Sequence, residues 1–404
     1  MQRTPTNSST RLSILARDAA PGDGAILLTG ATGFLGAELL RRLIEWDHRP
    51  ILALVRAASD EAAAERGHTT LTRVLDRAPT AAEATRVQWI RADLEQPRLG
   101  VAPANYDQLA EDVEEIFHCA ASTRFDLPPD DAERTNVLGL RELIDLARRA
   151  NGHHRVRRLH HVSTAYASGS CRGHVAASHL PKDRPHRFRN TYEWSKAKAE
   201  RLLRAQTDMP FTIYRPSIIV GDSETGRTLN WNVVYPTLRL LAAGMLPFFP
   251  TDEQAPLDCV PVDFVADGIV ALGRRSDTTG GTYHLTAGGE TLTVREFLQM
   301  TYGALDRCGK PTDGPRPRLL GPMSWWAVKH VGGRFGKSRT RRAIKKLPVY
   351  APYGQVRCRF DARGEHALLA QEGVQIAPRD HFFPKIVEYA LRHGFGSRSA
   401  LRVA

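Results

Sequence analysis

An α/β fold, with a doubly wound parallel sheet followed by a smaller, mostly helical C-terminal substrate domain, is what this sequence predicts. Three observations carry the prediction. Short apolar strand-like runs alternate with helical runs from residue 25 to beyond residue 160. Three glycines, Gly30, Gly33 and Gly36, fall at the junction of the first such strand and the first helix. The chain has 404 residues, 42% of them hydrophobic. At roughly 100–200 residues per domain, that is enough for more than one domain and a large core.

The elements follow in order. Residues 25–29 (AILLT) read as a buried strand, and 34–46 as a helix with Leu35, Leu39, Leu43 and Trp46 along one side. A second strand lies at 51–55 (ILALV). VQWIRADL (87–94) gives a third, ending at Asp93 and Leu94. EEIFHCAAS (114–122) gives a fourth, ending in the small residues Ala120 and Ala121. A helix over 131–150 carries Asn136. HRVRRLHHVSTAYASG (154–169) supplies a strand that ends at Ser163 and Thr164, and VPVDFVADGIVAL (260–272) a strand and a helix. The expected organisation is a leader over 1–23, a nucleotide-binding domain over 24–222 with a returning segment near 255–290, and a substrate-binding and C-terminal region over 223–404.

Composition narrows the function classes. Five cysteines are scattered with no CxxC pair, so neither a zinc site nor a disulfide framework is indicated, no metal is expected, and the expected compartment is the reducing cytoplasm. No run approaches the ~18 apolar residues of a membrane span. Residues 1–23 lack the apolar stretch of a secretory signal. Net charge is +12, and residues 314–360 hold twelve Lys or Arg with no Asp or Glu, so the rest of the chain is close to neutral. No nucleic-acid-binding module is recognisable in that segment, and nucleic acid is not an expected partner.

The glycine turn sits where a dinucleotide pyrophosphate meets backbone N–H groups and a helix N-terminus. A Rossmann-type nucleotide site is the expectation, although the spacing is Gly-x-x-Gly-x-x-Gly and not Gly-x-Gly-x-x-Gly. NAD-selective sites place an acid at the end of the second strand, to bind the ribose 2′-hydroxyl. Here that position is Arg56, followed by Ala57 and Ala58. A guanidinium there suits a 2′-phosphate, which favours NADPH.

Tyr192 and Lys196, in the run Tyr-Glu-Trp-Ser-Lys, are four residues apart and share a face of a helix. A free Tyr titrates near pH 10, and a Lys ammonium one turn away, together with an oxidised nicotinamide, is expected to lower that value. Tyr192 can then donate a proton to a carbonyl oxygen as hydride reaches the carbon. Thr164, at a strand end, can donate a second hydrogen bond to the same oxygen. YxxxK alone is common on ordinary helices. Its weight comes from the order along one chain of the glycine turn, the small residues at 120–121, Asn136, Ser163-Thr164 and YxxxK.

These stretches resemble the extended short-chain dehydrogenase/reductases, and within them the thioester-reductase and fatty acyl-CoA reductase branch. LLTGATGFLGAELL, ALVRAASDEAAAERG, RADLEQPRLG, IFHCAASTRFDLP, TNVLGL, HVSTAYASG, NTYEWSKAKAERLL, YRPSIIVGDSETG and LDCVPVDFVADGI carry the resemblance over about residues 25–272. The C-terminal third is similar more loosely, through VYAPY and RFDARG. The resemblance implies Tyr192 as acid, Lys196 as its electrostatic partner and ribose ligand, and Thr164 as the substrate-oxygen donor, with Ser163 as the fallback. It implies Gly30, Thr32, Gly33, Phe34, Leu35 and Gly36 at the pyrophosphate, Arg56 at the 2′-phosphate, and Asp93 and Leu94 beside adenine. The backbone from Arg215 and Pro216 to Ile219 would run beside the nicotinamide. Asn136 would sit in the sheet near Lys196, or else pack helices.

The reading that results is NADPH-dependent reduction of an acyl thioester to aldehyde or alcohol. The alternatives are a ketone or hydroxyl dehydrogenase of the same fold, and a non-catalytic cofactor-binding protein. Only a short leader precedes the first strand, so the expected substrate is a free acyl-CoA or a separate acyl carrier protein. Trp231, Tyr235, Leu238, Phe248 and Phe249 either line an acyl channel or pack a core. Asp263 is expected to cap and orient. The segment 324–346 is a solvated face, a surface for CoA phosphates or an acidic carrier protein, or a peripheral membrane contact.

Overall fold

Seven parallel strands form the central sheet of the protein, here a computed structural model described over residues 24–152, 156–246, 248–249, 251–310, 316–320 and 356–396. They are β1 (Ala25–Thr29), β2 (Ile51–Val55), β3 (Val87–Arg91), β4 (Val113–His118), β5 (Arg158–Val162), β6 (Phe211–Pro216) and β7 (Thr282–Leu285). Their order is β3-β2-β1-β4-β5-β6-β7, and every neighbouring pair is parallel. β1 and β2 are buried along their whole length, which is why they read as unbroken apolar runs: both faces of a doubly wound sheet are covered.

Strand order reverses between β1 and β4, and the crevice beyond their C-terminal ends is where such sheets bind ligands. One face is covered by α1 (Phe34–Trp46), α2 (Asp60–Leu75) and a helix over Val262–Arg274. Arg42 of α1 bonds Asp267 of that last helix at 2.7 Å. The other face is covered by α3 (Gly139–Ala150) and α4 (Thr191–Arg204).

The first three elements have the bounds expected of them. The next two strands are shorter than the apolar runs suggest. β3 stops at Arg91 because Asp93 turns back to bond Leu99 O through its backbone N–H at 2.8 Å. β4 stops at His118. The helix expected over 131–150 comes in three pieces: a turn at Pro129–Glu133, a π turn at Arg134–Leu138, then α3. A π turn inserts one residue, and so rotates the side chains that follow relative to those before it.

A separate apolar core lies outside the sheet. Tyr235, Leu238, Phe297, Phe382 and Phe383 meet there, on the helices Val234–Ala242, Val294–Arg307 and Arg379–Arg392. Trp231 packs edge-on against Tyr235, with ring centroids 5.2 Å apart. Phe249 packs against the same core. These aromatic residues are therefore core packing and not the lining of the main cavity. Among the described residues no helix is long and apolar enough to cross a membrane. The leader over 1–23 and the basic segment 324–346 lie outside the described residues.

Candidate active site

The glycine turn meets two steric demands. Gly30 has φ +76°, and a Cβ there would lie 2.7 Å from the backbone nitrogen of Ala120. A Cβ on Gly36 would lie 2.1 Å from Gly30 O. The turn can therefore fold under the end of β4 and lie flush on α1 only without side chains at these points. α1 begins after Gly33 with no side-chain cap and no acid in its first turn, which leaves its N–H groups free for an anion. This cradle fits the pyrophosphate of a dinucleotide.

A cavity of about 650 Å³ opens from that turn. Of the residues expected at the site, Gly30, Thr32, Gly33, Phe34, Leu35, Gly36, Ala121, Thr164, Tyr192, Lys196, Pro216 and Ile219 line it. Topology brings them together. Thr164 lies two residues past the end of β5, β6 ends at Pro216, the short strand Ile218–Val220 supplies Ile219, and α4 crosses beside them with Tyr192 and Lys196 one turn apart.

Lys196 is buried, and its ammonium donates to Val162 O at 2.6 Å and lies 3.4 Å from His161 Nε2. Burial lowers its pKa to about 8, opposed by Glu200 one turn further along α4. Beneath it, burial and the Lys196 charge push His118 down to about 3 and His161 well below its usual range, so both imidazoles are neutral near pH 7.

The expected lowering of the Tyr192 pKa by Lys196 is not what the geometry gives. Lys196 points to the end of β5, and the Tyr192 phenol instead faces the Thr164 hydroxyl. Burial raises the phenol pKa and Glu193 raises it further, while Thr164 opposes them. Tyr192 is thus held protonated, as a proton donor must be.

Supporting contacts fix these groups. Ser163 Oγ donates to Glu200 Oε1 at 2.5 Å, so the fallback donor is already engaged. Asn136 does not sit in the sheet. From its π turn it accepts from Ser122 N at 2.9 Å and donates to Ser195 Oγ at 2.8 Å. Ser195 Oγ in turn donates to Tyr192 O at 2.9 Å. Asn136 therefore ties α4 to the loop after β4 and does not touch Lys196. Asp263 accepts from Ser223 N at 2.9 Å and Ser223 Oγ at 2.5 Å, and orients the turn after the strand Ile218–Val220.

Five expected cofactor residues lie off the cavity wall. Ala120 packs behind Gly30, and Asn136 has the role just given. Arg56, Asp93 and Leu94 sit together just past the paired ends of β2 and β3. The Asp93 carboxylate accepts from Glu95 N at 3.0 Å, and Leu94 packs against Gly139. The Arg56 side chain is 75% exposed and 3.8 Å from Glu95 Oε1. Arg66, on α2, donates to Arg56 O at 3.0 Å, which adds a second guanidinium to that end.

The cavity also includes residues the sequence reading missed. Phe125 packs against Tyr192, with ring centroids 5.8 Å apart. The loop 123–126 follows directly on IFHCAAS, and that proximity to a strand end is the signal available in sequence. Leu229, Asn230, Asn232 and Val233 reach the cavity through a crossing that no local pattern announces. Arg73 reaches it from α2. Among the described residues no three His, Cys, Asp or Glu side chains are grouped to hold a metal ion.

Comparison with known proteins agrees with this architecture. A sequence profile of the NAD-binding family described as male sterility protein matches residues 28–269. The chain belongs to this family. A linear gramicidin synthase from Brevibacillus parabrevis is 35% identical over 283 residues, covering 68% of the chain but 5% of its own length. Fatty acyl-CoA reductase 1 of Xenopus laevis is 29% identical over 308 residues, covering 64% of the chain and 58% of its own length. The chain thus spans only part of each of these relatives. The terminal R domain of the myxalamid PKS-NRPS pathway superposes with a TM-score of 0.77 at 26% identity, covering 93% of this chain and 92% of that one. Membership in this NAD-binding family, together with the R-domain likeness of the fold, gives this chain a nicotinamide dinucleotide cofactor.

Proposed function

We propose that the protein uses NADPH to reduce an acyl thioester, with Thr164, Tyr192 and Lys196 as the reacting site. One observation carries the reading. The buried Thr164 hydroxyl and the Tyr192 phenol face each other on the wall of the cavity that also includes the glycine turn. Two donors there converge on the place a carbonyl oxygen would occupy. The likeness to a linear gramicidin synthase and to a fatty acyl-CoA reductase supports a thioester as the substrate.

The glycine turn and the free end of α1 would hold the pyrophosphate, Lys196 the ribose, and Arg56 with Arg66 the 2′-phosphate, and the reduced nicotinamide supplies hydride. Thr164 and Tyr192 stabilise the carbonyl oxygen as negative charge develops on it. Tyr192, kept protonated by burial, gives up its proton to that oxygen. The hemithioacetal formed then collapses to aldehyde and thiol. Acyl-CoA or an acyl carrier protein would deliver the thioester, and a second hydride would carry the aldehyde to the alcohol.

The test is NADPH oxidation against a panel of acyl-CoAs, acyl carrier proteins and ketones, with product identification. Thioester-dependent oxidation that releases aldehyde or alcohol is expected. Turnover of ketones alone would overturn the reading.

A further inference from the structure

We propose that Arg73 and Arg227 form a phosphate-binding clamp at the cavity, separate from the ribose-phosphate end at Arg56 and Arg66. Arg73 reaches the same cavity wall as Gly33 and Phe34. Among the described residues no carboxylate pairs with it. Its charged neighbours are instead two more guanidinium groups, Arg66 and Arg227, whose repulsion adds to burial in making the charged form of Arg73 less favourable. Arg66 and Arg73 are two turns apart on α2, their backbones roughly 10 Å apart along the axis, so they mark the two ends of one basic strip.

Arg227 is mounted firmly. Its backbone N–H donates to Thr225 Oγ1 at 3.2 Å, and its carbonyl accepts from Asp222 N at 3.0 Å. The preceding Gly226 has φ +71°, and a Cβ on it would lie 2.3 Å from Lys385 O, so the turn has no room to shift. Two acids face Arg227: Asp76, at 3.6 Å and 89% exposed, a pair that solvent screens heavily, and Glu38 of α1, which already accepts from Arg41 and Arg42. Cations gathered against their own repulsion beside a ligand cavity favour an anion, and the planar guanidinium fork matches phosphate oxygens.

Two sources carry that chemistry: the phosphates of a thioester's pantetheine arm, and the pyrophosphate of the cofactor. The first source rests on the thioester reading above, and the second does not. The experiment compares wild type with Arg73→Gln/Arg227→Gln, measuring calorimetric binding of CoA, NADPH and NADH and confirming an unchanged melting temperature. Weakening of CoA by about 10-fold, with both nucleotides unchanged, assigns the clamp to the arm. The KM for acyl-CoA should then rise while an acyl-N-acetylcysteamine thioester, which has no phosphate, keeps its KM. Equal weakening of NADPH and NADH assigns the clamp to the pyrophosphate. Arg73→Lys/Arg227→Lys, which keeps the charges, should recover part of either loss and serves if the Gln variant melts early. Unchanged binding of all three probes overturns the clamp. A wild type that turns over no thioester overturns the thioester reading and leaves the binding result standing.

Discussion

Glu200 and Arg215 form a fully buried, doubly hydrogen-bonded ion pair, with Nε to Oε1 at 2.8 Å and Nη2 to Oε2 at 2.6 Å. The pair joins α4, which carries Tyr192 and Lys196, to β6. Glu200 is one turn beyond Lys196 on α4, and it also accepts from Ser163, the neighbour of Thr164. Arg215 of β6 directs both Nη1 donors to Ala177 O and His179 O. The network holds α4, β5 and β6 in register around the site.

Glu200→Gln should therefore destabilise the protein by about 3–5 kcal/mol, because it leaves a buried guanidinium without its counter-charge. Ser163→Ala, which removes one hydrogen bond, should cost about 1 kcal/mol. Urea unfolding of both variants measures this. A Glu200→Gln protein as stable as wild type would mean that the pair is not what couples these elements.

Tyr192→Phe should lower kcat by about 10²–10⁴ and leave NADPH binding within a few-fold, since the ring still packs while the proton donor is gone. Thr164→Val should lower kcat by about 10²–10³ through loss of the second donor to the oxygen. Single-turnover NADPH oxidation beside cofactor titration separates chemistry from binding. A Tyr192→Phe enzyme at the wild-type rate would remove the proposed mechanism.

NADPH affinity should depend on pH through Lys196, whose burial places its pKa at about 8. Below that pH the ammonium is charged in the folded protein and can hold the ribose. As pH rises through about 8 the charge is lost, and the dissociation constant should climb by up to tenfold per unit. Stability moves the other way. An unfolded Lys keeps its proton to near pH 10.4, so between the two values the unfolded chain binds more protons and folding gains with pH. Lys196→Met should flatten both profiles, and a binding curve for wild type that is level from pH 7 to 9.5 would contradict the assignment.

Arg56→Ala should weaken NADPH much more than NADH. A charge-assisted hydrogen bond to a phosphate contributes about 1.5–3 kcal/mol, or roughly 10- to 150-fold in affinity. Arg66→Ala should act in the same direction. Glu95, 3.8 Å from Arg56, competes for that guanidinium, so Glu95→Gln should strengthen NADPH binding. Equal wild-type affinity for the two nucleotides would count against Arg56 as the selector.

Local chemistry made much of this protein legible in its sequence. AILLT, the three-glycine turn and the helix over 34–46 are set by burial on both faces and by backbone sterics within some twenty residues, so their bounds could be read directly. The pairing of Tyr192 with Lys196 follows from helical spacing alone. Other features depend on what meets in space. Asn136 acquires its role from a π turn that exists because α4 and the loop after β4 both present bonding partners to it. Whether Tyr192 feels Lys196 or Thr164 depends on where the end of β5 places its carbonyl, and the aromatic run at 231–238 became core because the C-terminal helices close over it. The sequence by itself determined the strand and helix types and the glycine turn. Only the tertiary structure decided which charges face one another, because electrostatic neighbours are set by strand order and helix crossing and not by distance along the chain.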